Sequence, residues 1–234
     1  MRAVVLQPTY LPWAGYFAMM DQADTFVYYD DVQFSKQSWQ QRNRIRSIDN
    51  DCIWLTVPIK KGPSKKIHEV QIDNSSLWSK RHWRTIEVAY CKAPYFKSYS
   101  DPIKEIFKRV WTSLADLNIY TIELLANLLR IRMPKIIRSS ELMGLDGVKE
   151  ERLINLLQMI HATEYISGPS AKDYIVPSDF ADNNIMLHWF EFTHPVYSQY
   201  HGEFIPFLSS LDMLFNEGDR SIEYIREGSI NAMR

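Results

Sequence analysis

The chain has 234 residues, of which 46% are hydrophobic, 13% aromatic and 24% charged, which is typical of a folded globular protein and argues against disorder. It contains no apolar stretch approaching the ~20 residues that span a bilayer, and its N-terminus lacks a secretion signal. Two cysteines, Cys52 and Cys91, are too few for a disulfide framework or a four-cysteine zinc site. We therefore expect a cytoplasmic protein with no transmembrane segment.

Positive charge is concentrated in one part of the chain. The 27 basic and 28 acidic residues nearly cancel overall, but residues 32–92 hold 12 Lys and Arg against 5 Asp and Glu. A nucleic-acid-binding domain is usually basic throughout. The distribution therefore favours a phosphate-bearing small molecule and argues against a nucleic-acid partner, with a solvated basic face that binds nothing as the alternative.

The first thirty residues predict a βαβ unit. Ala3–Leu6 is a short apolar run typical of a strand buried on both faces, and Thr25–Tyr29 is a second strand. Pro8 and Pro12 keep the segment between them irregular, and Pro12 favours the first turn of a helix that ends near Met20. Parallel strands with a right-handed crossover are expected.

The middle of the chain predicts a small β extension followed by helices. Cys52–Ile59 and Lys66–Ile72 are predicted strands, which a turn over residues 60–64 joins into a hairpin or small extension. Asp101 and Asn118 are the predicted N-caps of the second and third helices in this region. The three predicted helices are Leu77–Ala93, Pro102–Leu114 and Tyr120–Leu129.

The last hundred residues predict alternating strands and helices, which indicates an α/β fold. We expect a mainly parallel, Rossmann-like sheet flanked by helices, with a helical insertion in the middle and a small β extension. We also expect one domain over residues 1–234, with parts at 1–75, 76–132 and 133–234. The predicted strands are Lys135–Arg138, Glu164–Ser167 and Ile185–Phe192, and the predicted helices are Glu150–Ile160 and Ser209–Phe215.

Candidate site residues follow the predicted strands, because ligands of an open parallel sheet bind beyond the carboxyl ends of its strands. Most of these residues carry hydroxyl, amide or ionisable groups. Polar surface loops with no ligand are the alternative at each position. The candidates chosen on this basis are Gln7, Tyr10, Asp30, Asp31, Gln33, Ser139, Ser140, Gly168, Lys172, Asp173, His194 and Gln199.

Two of these positions suggest catalysis. Adjacent carboxylates at Asp30 and Asp31 could serve as base or bind Mg²⁺, although neighbouring side chains on an extended chain point in opposite directions and an ordinary turn is the alternative. His194 precedes Pro195, which biases it toward extended backbone in a loop and makes it a candidate general base.

Two cationic segments suggest phosphate binding. Residues 34–46 combine Lys36, Trp39 and Arg42 with several amides, so cations for a phosphate and an indole for a base or sugar ring lie close together. A solvated segment with Trp39 in the core is the alternative. Lys149 and Arg152, three apart at a predicted helix start, share a face and could hold an anion or pair with neighbouring glutamates.

Nine ordered blocks of the sequence resemble the WbqC-like protein family. This family is associated with bacterial gene clusters for O-antigen, the polysaccharide of lipopolysaccharide, and for other surface glycans. The matching blocks are Gln7–Phe17, Asp30–Lys36, Trp39–Arg44, Trp54–Pro58, Lys92–Tyr95, Ser139–Leu142, Ser167–Pro169, Lys172–Tyr174 and His194–Tyr197.

The N-terminal unit is also similar, more weakly, to adenylyl-transferring enzymes such as pantothenate synthetase and the nucleotidyltransferases. Those enzymes bind ATP phosphates with a His-x-Gly-His turn after the first strand. Gly15 matches the glycine, but Trp13 and Tyr16 stand where the histidines are expected. Adenylyl transfer would therefore require Lys36, Arg42 or Arg44 to replace the missing imidazoles.

The resemblances imply an enzyme of surface-glycan biosynthesis that modifies an amino sugar or nucleotide-linked sugar by acyl or aminoacyl transfer. It would be a transferase or an ATP-dependent ligase, with ATP and Mg²⁺ as candidate cofactors. Asp30 would be base or metal ligand, Lys36 and Arg42 would clamp phosphate, and His194 would be the alternative base. The alternatives are a glycosyltransferase that uses a nucleotide sugar and a non-catalytic carbohydrate- or nucleotide-binding module.

Overall fold

The structure, a computed structural model, describes residues 1–49, 51–62, 65–173 and 175–229; Tyr174 and part of the predicted 60–64 turn lie outside them. The strands are β1 (Arg2–Leu6), β2 (Thr25–Tyr28), β3 (Arg42–Arg46), β4 (Cys52–Thr56), β5 (Lys135–Arg138), β6 (Glu164–Ser167) and β7 (Met186–Trp189). The helices are α1 (Ala14–Gln22), α2 (Trp78–Tyr90), α3 (Phe96–Lys108), α4 (Leu114–Leu128), α5 (Lys149–Met159), α6 (Pro177–Asp182), α7 (Ser210–Glu217) and α8 (Ser221–Ser229).

Five strands form one parallel sheet in the order β5-β2-β1-β6-β7. The central strand β1 pairs Val4 with Phe26 of β2 on one side and with Ile166 of β6 on the other. Successive strands are added outward on one side of β1 and then on the other, which places the topological switch point between β1 and β6. The α/β prediction with a Rossmann-like sheet is confirmed.

Side chains alternate across the sheet and separate two cores. Val4, Phe26 and Ile166 pack into a large cluster with α1, α4, α7 and the hairpin of β3 and β4. Ala3 and Tyr165 point to the opposite face, where they pack with residues of α5 and α6. Because both faces are covered, the strands need apolar residues at consecutive positions, and the run in β1 meets this need.

The hairpin differs from the predicted one. β4 pairs with β3 in antiparallel fashion, whereas Lys66–Ile72 forms no strand partner for β4 and contains a 3₁₀ turn at Ile67–Glu69. The prediction was wrong because β3 carries three arginines at alternate positions, which conceal a strand in the sequence. The backbone N–H of Ile67 donates instead to Val32 O at 2.9 Å.

The helix boundaries also differ from the predicted ones. Pro102 lies inside α3 rather than at its start, so Asp101 is not an N-cap. Ser113 caps α4 by accepting a hydrogen bond from Asp116 N at 3.2 Å, and Asn118 is a buried residue within that helix. The sequence analysis missed α6 and α8. No described helix has the length and apolar character needed to cross a membrane.

Candidate functional site

A cavity of about 420 Å³ opens beyond the carboxyl end of β1. Three segments meet there: the connection from β1 to α1, the start of β3, and the chain that follows β7. Ser210 N donates to Pro12 O at 2.8 Å and Ser209 N donates to Arg44 O at 2.9 Å, which joins the three segments through backbone hydrogen bonds. The lining residues are Thr9, Trp13, Tyr16, Trp39, Asn43, Arg44 and Phe207.

The walls of this cavity, which we call the aromatic cavity, are mostly rings. The centroids of Trp13 and Phe207 lie 5.5 Å apart, while Trp39 is 49% exposed at the rim. Gly15 allows this arrangement, because a Cβ at that position would overlap the Trp13 indole. Such flat apolar faces stack well on sugar rings and nucleobases.

The polar side of the aromatic cavity is cationic. Arg44 lines it and Nη2 lies 3.5 Å from Phe207 O, while neighbouring Arg42 stacks on Trp54 with its guanidinium carbon 4.2 Å from the ring centroid. Among the described residues, no carboxylate pairs with either arginine. An uncompensated guanidinium beside an apolar cavity favours an anionic ligand, because a phosphate or carboxylate can accept two of its N–H bonds.

Asn43 is held by the backbone and fixes the loop after β1. Its Nδ2 donates to Tyr10 O at 3.2 Å and to Leu11 O at 2.7 Å, and its Oδ1 accepts from Arg44 N at 2.7 Å. Leu11 has a φ of 46°, in the left-handed region that a branched residue adopts only when surrounding contacts hold it there. The amide therefore holds the strained turn that carries the cavity wall.

His194 lies against the aromatic cavity. Its ring stacks on Trp13 with centroids 6.3 Å apart and planes 15° from parallel, and it lies 5.0 Å from the Phe207 ring. Nδ1 lies 2.9 Å from Pro195 O. A carbonyl oxygen only accepts, so the proton is on Nδ1 and Nε2 keeps its lone pair.

The protonation of His194 suits a base. Burial among aromatic rings lowers the pKa of His194 below its ordinary value of 6.5, although the hydrogen bond to Pro195 O opposes this shift. The imidazole is therefore neutral at pH 7. Within the described ranges of the chain, Nε2 has no hydrogen-bond partner. A general base needs such a neutral ring nitrogen, and the base role of His194 remains a prediction.

Asp30 has a different setting from the predicted one. It has no exposed surface, and its Oδ2 accepts from Arg138 Nε and Ser140 Oγ, both at 2.9 Å. Its Oδ1 accepts from Ser140 N at 3.0 Å and Ser139 Oγ at 3.3 Å. These bonds tie the end of β2 to the end of β5, so Asp30, Ser139 and Ser140 form a structural junction rather than an open site.

Asp31 belongs to the same junction. It pairs with Arg152 of α5, and its Oδ1 accepts from Ser139 Oγ at 2.5 Å. Two guanidinium groups and two hydroxyls therefore surround the carboxylate pair. This donor set does not fit Mg²⁺, and no group of three metal-ligating side chains occurs in the part of the chain that the structure describes. The metal and base roles proposed for this pair are not supported.

The phosphate clamp predicted over residues 34–46, with Gln33 just before it, is divided between two places. Trp39 and Arg44 line the aromatic cavity, whereas Arg42 does not line it and stacks on Trp54, the neighbour of Trp39. Gln33 and Lys36 line a second cavity of about 280 Å³. Within loop 33–41, Gln40 Nε2 donates to Gln7 Oε1 at 2.7 Å. Gln7 is exposed, and its carbonyl accepts from Tyr16 OH at 3.3 Å near the aromatic cavity.

Two predicted binding residues are structural instead. Tyr10 is fully buried, and its hydroxyl lies 2.9 Å from His82 Nδ1. Burial lowers the pKa of His82 to about 4, so this imidazole is neutral at pH 7. Gln199 donates to buried Asp212 at 2.8 Å and accepts from Arg46 Nη1 at 2.5 Å. Neither Tyr10 nor Gln199 is among the described residues that line the aromatic cavity.

The remaining predicted residues lie elsewhere. Lys172 pairs with Glu191 at 3.1 Å, with exposed Asp173 beside it in the sequence. Gly168 borders open space, since a Cβ there would contact nothing within 4 Å. Lys149 is exposed at the start of α5, but Arg152 is occupied by Asp31, so the two do not form a free anion site.

Several residues that line the aromatic cavity are not among the site residues predicted from the sequence. Trp13 and Tyr16 entered it only as substitutes for expected histidines, yet both are walls of the aromatic cavity. The position of Thr9 and Tyr16 close after β1 was a usable signal. Phe207 gave none, because it lies 18 positions after the end of β7 and reaches the cavity only through tertiary contacts.

The sheet order and the cavity at its carboxyl edge place the chain among α/β proteins with a Rossmann-like sheet. Within that class, the chain belongs to the WbqC-like protein family, whose model matches residues 7–224. This range includes every lining residue of the aromatic cavity and His194.

A relative supports the family assignment over nearly the full chain. Uncharacterized protein Rv1507c from Mycobacterium tuberculosis is 37% identical over 229 residues, which cover 96% of this chain and 97% of the relative. No solved structure matches the chain.

Proposed function

We propose that the protein is an enzyme of bacterial surface-glycan biosynthesis that transfers an acyl or aminoacyl group to an amino sugar, with the sugar bound in the aromatic cavity. The observation that carries this proposal is the neutral imidazole of His194 stacked on Trp13, a wall of that cavity. The volume of about 420 Å³ lies within the roughly 300–1,000 Å³ of small-molecule sites.

The binding groups suit a sugar that carries a phosphate. The faces of Trp13 and Trp39 would stack on the apolar face of a pyranose ring or on a base. Arg44, which has no described acidic partner, would pair with a phosphate of a nucleotide-linked sugar. A neutral monosaccharide would use only the aromatic part of the site and bind more weakly.

His194 would act as the general base in transfer from an activated acyl donor, such as a thioester or acyl phosphate. Nε2 takes a proton from the sugar amine as the nitrogen attacks the acyl carbonyl and a C–N bond forms. The bond from the acyl carbon to the leaving group then breaks, and the leaving group departs with the electron pair and receives the proton from the imidazolium. The Asp30–Asp31 pair does not fit Mg²⁺, so no step is assigned to ATP or to a metal.

A non-catalytic binding module is the second candidate. Trp39 and Trp54 are 49% and 43% exposed, and the centroids of their rings lie 5.5 Å apart. The two rings form an aromatic platform that extends from the cavity toward solvent. Carbohydrate- and nucleotide-binding surfaces use such exposed rings together with arginines. A module of this kind would bind the same ligands without turning them over.

Measuring both turnover and ligand affinity in two histidine variants distinguishes the enzyme from the binding module. The protein would be incubated with uridine-diphosphate sugars with and without an amino group and with thioester donors, and products would be read by mass spectrometry. We expect His194→Asn to abolish acylation while tryptophan fluorescence shows unchanged affinity. His161→Asn, at an exposed position with a φ of 58°, is the matched control and should retain both.

The outcomes are distinct. Loss of turnover in His194→Asn alone supports the enzyme. Binding without turnover by the unmodified protein, over all donors tried, supports the binding module. Turnover that survives His194→Asn unchanged would remove His194 from the mechanism.

A further inference from the structure

Among the described residues that line the second cavity, of about 280 Å³, the charged ones are all lysines, and we call it the lysine cavity. Lys36, Lys60 and Lys65 line it, together with the amide side chains of Gln33 and Gln71. Phe34, Ile59 and Val70 provide its apolar surface. Lysines from three different parts of the chain therefore line one concave surface.

Backbone hydrogen bonds hold the segments that carry these lysines. Phe34 N donates to Lys65 O at 2.9 Å, and Lys60 N donates to Gln71 O at 2.9 Å. A bridge also joins Gln33 to Lys66 across the same segments. The lysines are therefore brought together by the fold and not only by their closeness in the sequence.

No ion pair within the described part of the chain neutralises the lysine cavity, although Lys60 is close enough to Asp73 to help lower the pKa of that carboxyl. None of its three ammonium groups pairs with a described carboxylate, and Lys60 Nζ contacts only the neutral Gln71 Oε1 at 3.1 Å. Glu69 lies close in the sequence but accepts from Lys66 N at 2.9 Å and does not line the cavity. Residues 52–68 contain no acidic residue at all.

We propose that the lysine cavity is a phosphoryl-binding site, separate from the aromatic cavity. Like charges around one hollow repel one another, and a phosphoryl dianion there would remove that repulsion. Lysine binds phosphate as a point charge, and amide N–H groups of Gln33 and Gln71 can add hydrogen bonds. The proposal does not depend on the function assigned to the aromatic cavity.

The phosphoryl group has two possible sources. It can belong to a nucleoside diphosphate, or it can be a free phosphate or diphosphate released by a transfer reaction. Lys36 and Trp39 are three residues apart, so their Cα atoms lie within about 11 Å. A nucleotide bound at the lysines would then have a ring platform within reach, whereas inorganic diphosphate would gain nothing from it.

Calorimetric titration of the full chain with inorganic diphosphate and with uridine diphosphate tests the site. We expect both to bind, and the double variant Lys36→Gln/Lys65→Gln to weaken inorganic diphosphate at least tenfold. The matched control Lys80→Gln/Lys97→Gln removes two exposed lysines from α2 and α3 and should change affinity less than twofold. Binding should weaken with added salt.

Each outcome is informative. Failure of millimolar diphosphate to bind the unmodified protein, or equal weakening in both double variants, overturns the proposal. Uridine diphosphate binding more than tenfold tighter than diphosphate, with the difference lost in Lys36→Gln/Lys65→Gln and kept in Arg44→Gln, identifies a nucleotide as the source; equal affinities identify the free anion. Thermal melting of each variant checks folding, and His194→Asn should bind diphosphate normally, which separates this test from that of the transferase.

Discussion

The imidazole of His194 and the indole of Trp13 lie face to face, with centroids 6.3 Å apart and planes 15° from parallel. One ring follows β7 and the other precedes α1, so the contact joins the two halves of the sheet at its carboxyl edge. It also shields His194 partly from water, and this partial burial lowers the pKa of the imidazole.

The pH dependence of turnover follows from this burial. A base must be neutral to accept a proton, so kcat/KM should fall as pH decreases through the pKa of His194, which lies below 6.5. Above about pH 7, His194 should be fully neutral and kcat/KM should no longer depend on its titration. The measurement is kcat/KM from pH 4.5 to 8, with His161→Asn as control. A limb centred above pH 7 would exclude His194 as the base.

Arg44→Gln should weaken binding of a nucleotide sugar about 10- to 100-fold, because one charge-assisted hydrogen bond is worth about 1.5–3 kcal/mol. A neutral monosaccharide should bind with unchanged affinity, since it makes no ion pair. Quenching of tryptophan fluorescence measures both.

Arg109→Gln is the matched control for Arg44→Gln. Arg109 also lies over an aromatic ring, 4.3 Å from the Tyr120 centroid, but outside the aromatic cavity. Equal losses of affinity in the two variants, or equal losses for charged and neutral ligands, would show that Arg44 does not bind the phosphate.

His82 makes stability depend on pH. Its pKa is about 4 in the folded protein because of burial, against an ordinary value of 6.5. The unfolded chain therefore binds a proton more readily, and stability is lost as pH falls from about 6.5 to 4. The full loss from this one group is about 3 kcal/mol.

Urea unfolding at pH 7.5 and pH 4.5 measures this effect through a variant. His82→Asn keeps a polar group near Tyr10 but has no titratable proton, so its stability should decrease less between the two pH values. Identical pH dependence in both proteins would mean that His82 is solvated in the folded state.

Asp30→Asn should destabilise the fold by about 2–4 kcal/mol, because it leaves Arg138 without its buried charge partner. Asp116 pairs with the same guanidinium from a side chain that is 52% exposed, so Asp116→Asn is the control. It should cost no more than about 1 kcal/mol. Equal losses in urea unfolding would contradict the structural role of the Asp30 junction.

The strands of the sheet were the most predictable part of the fold. A strand buried on both faces needs a continuous apolar run, and β1 and β2 have one within the first thirty residues. β3 was missed because Arg42, Arg44 and Arg46 mask it, although the last of these is fully buried. Arg46 can be buried because its hydrogen-bond acceptor, the Gln199 side chain, comes from a distant part of the chain. The local sequence therefore does not reveal this strand.

The site was only partly predictable. Position after a strand correctly drew attention to the segment that follows β1, but Tyr10 points inward because the chain turns at Leu11, whose φ is 46°. His194 was identified from its loop context, whereas its contact with Trp13 joins residues 181 positions apart and leaves no local pattern. The domain bounds at 1–75, 76–132 and 133–234 remain predictions.

A crystal structure with a bound uridine-diphosphate amino sugar would test most directly where the substrate lies. The sugar should stack between Trp13 and Trp39, with its amine within about 3.5 Å of His194 Nε2 and a phosphate oxygen on Arg44. A sugar found instead at Gly168 or at the Asp30 junction, with the aromatic rings free of ligand, would contradict the account.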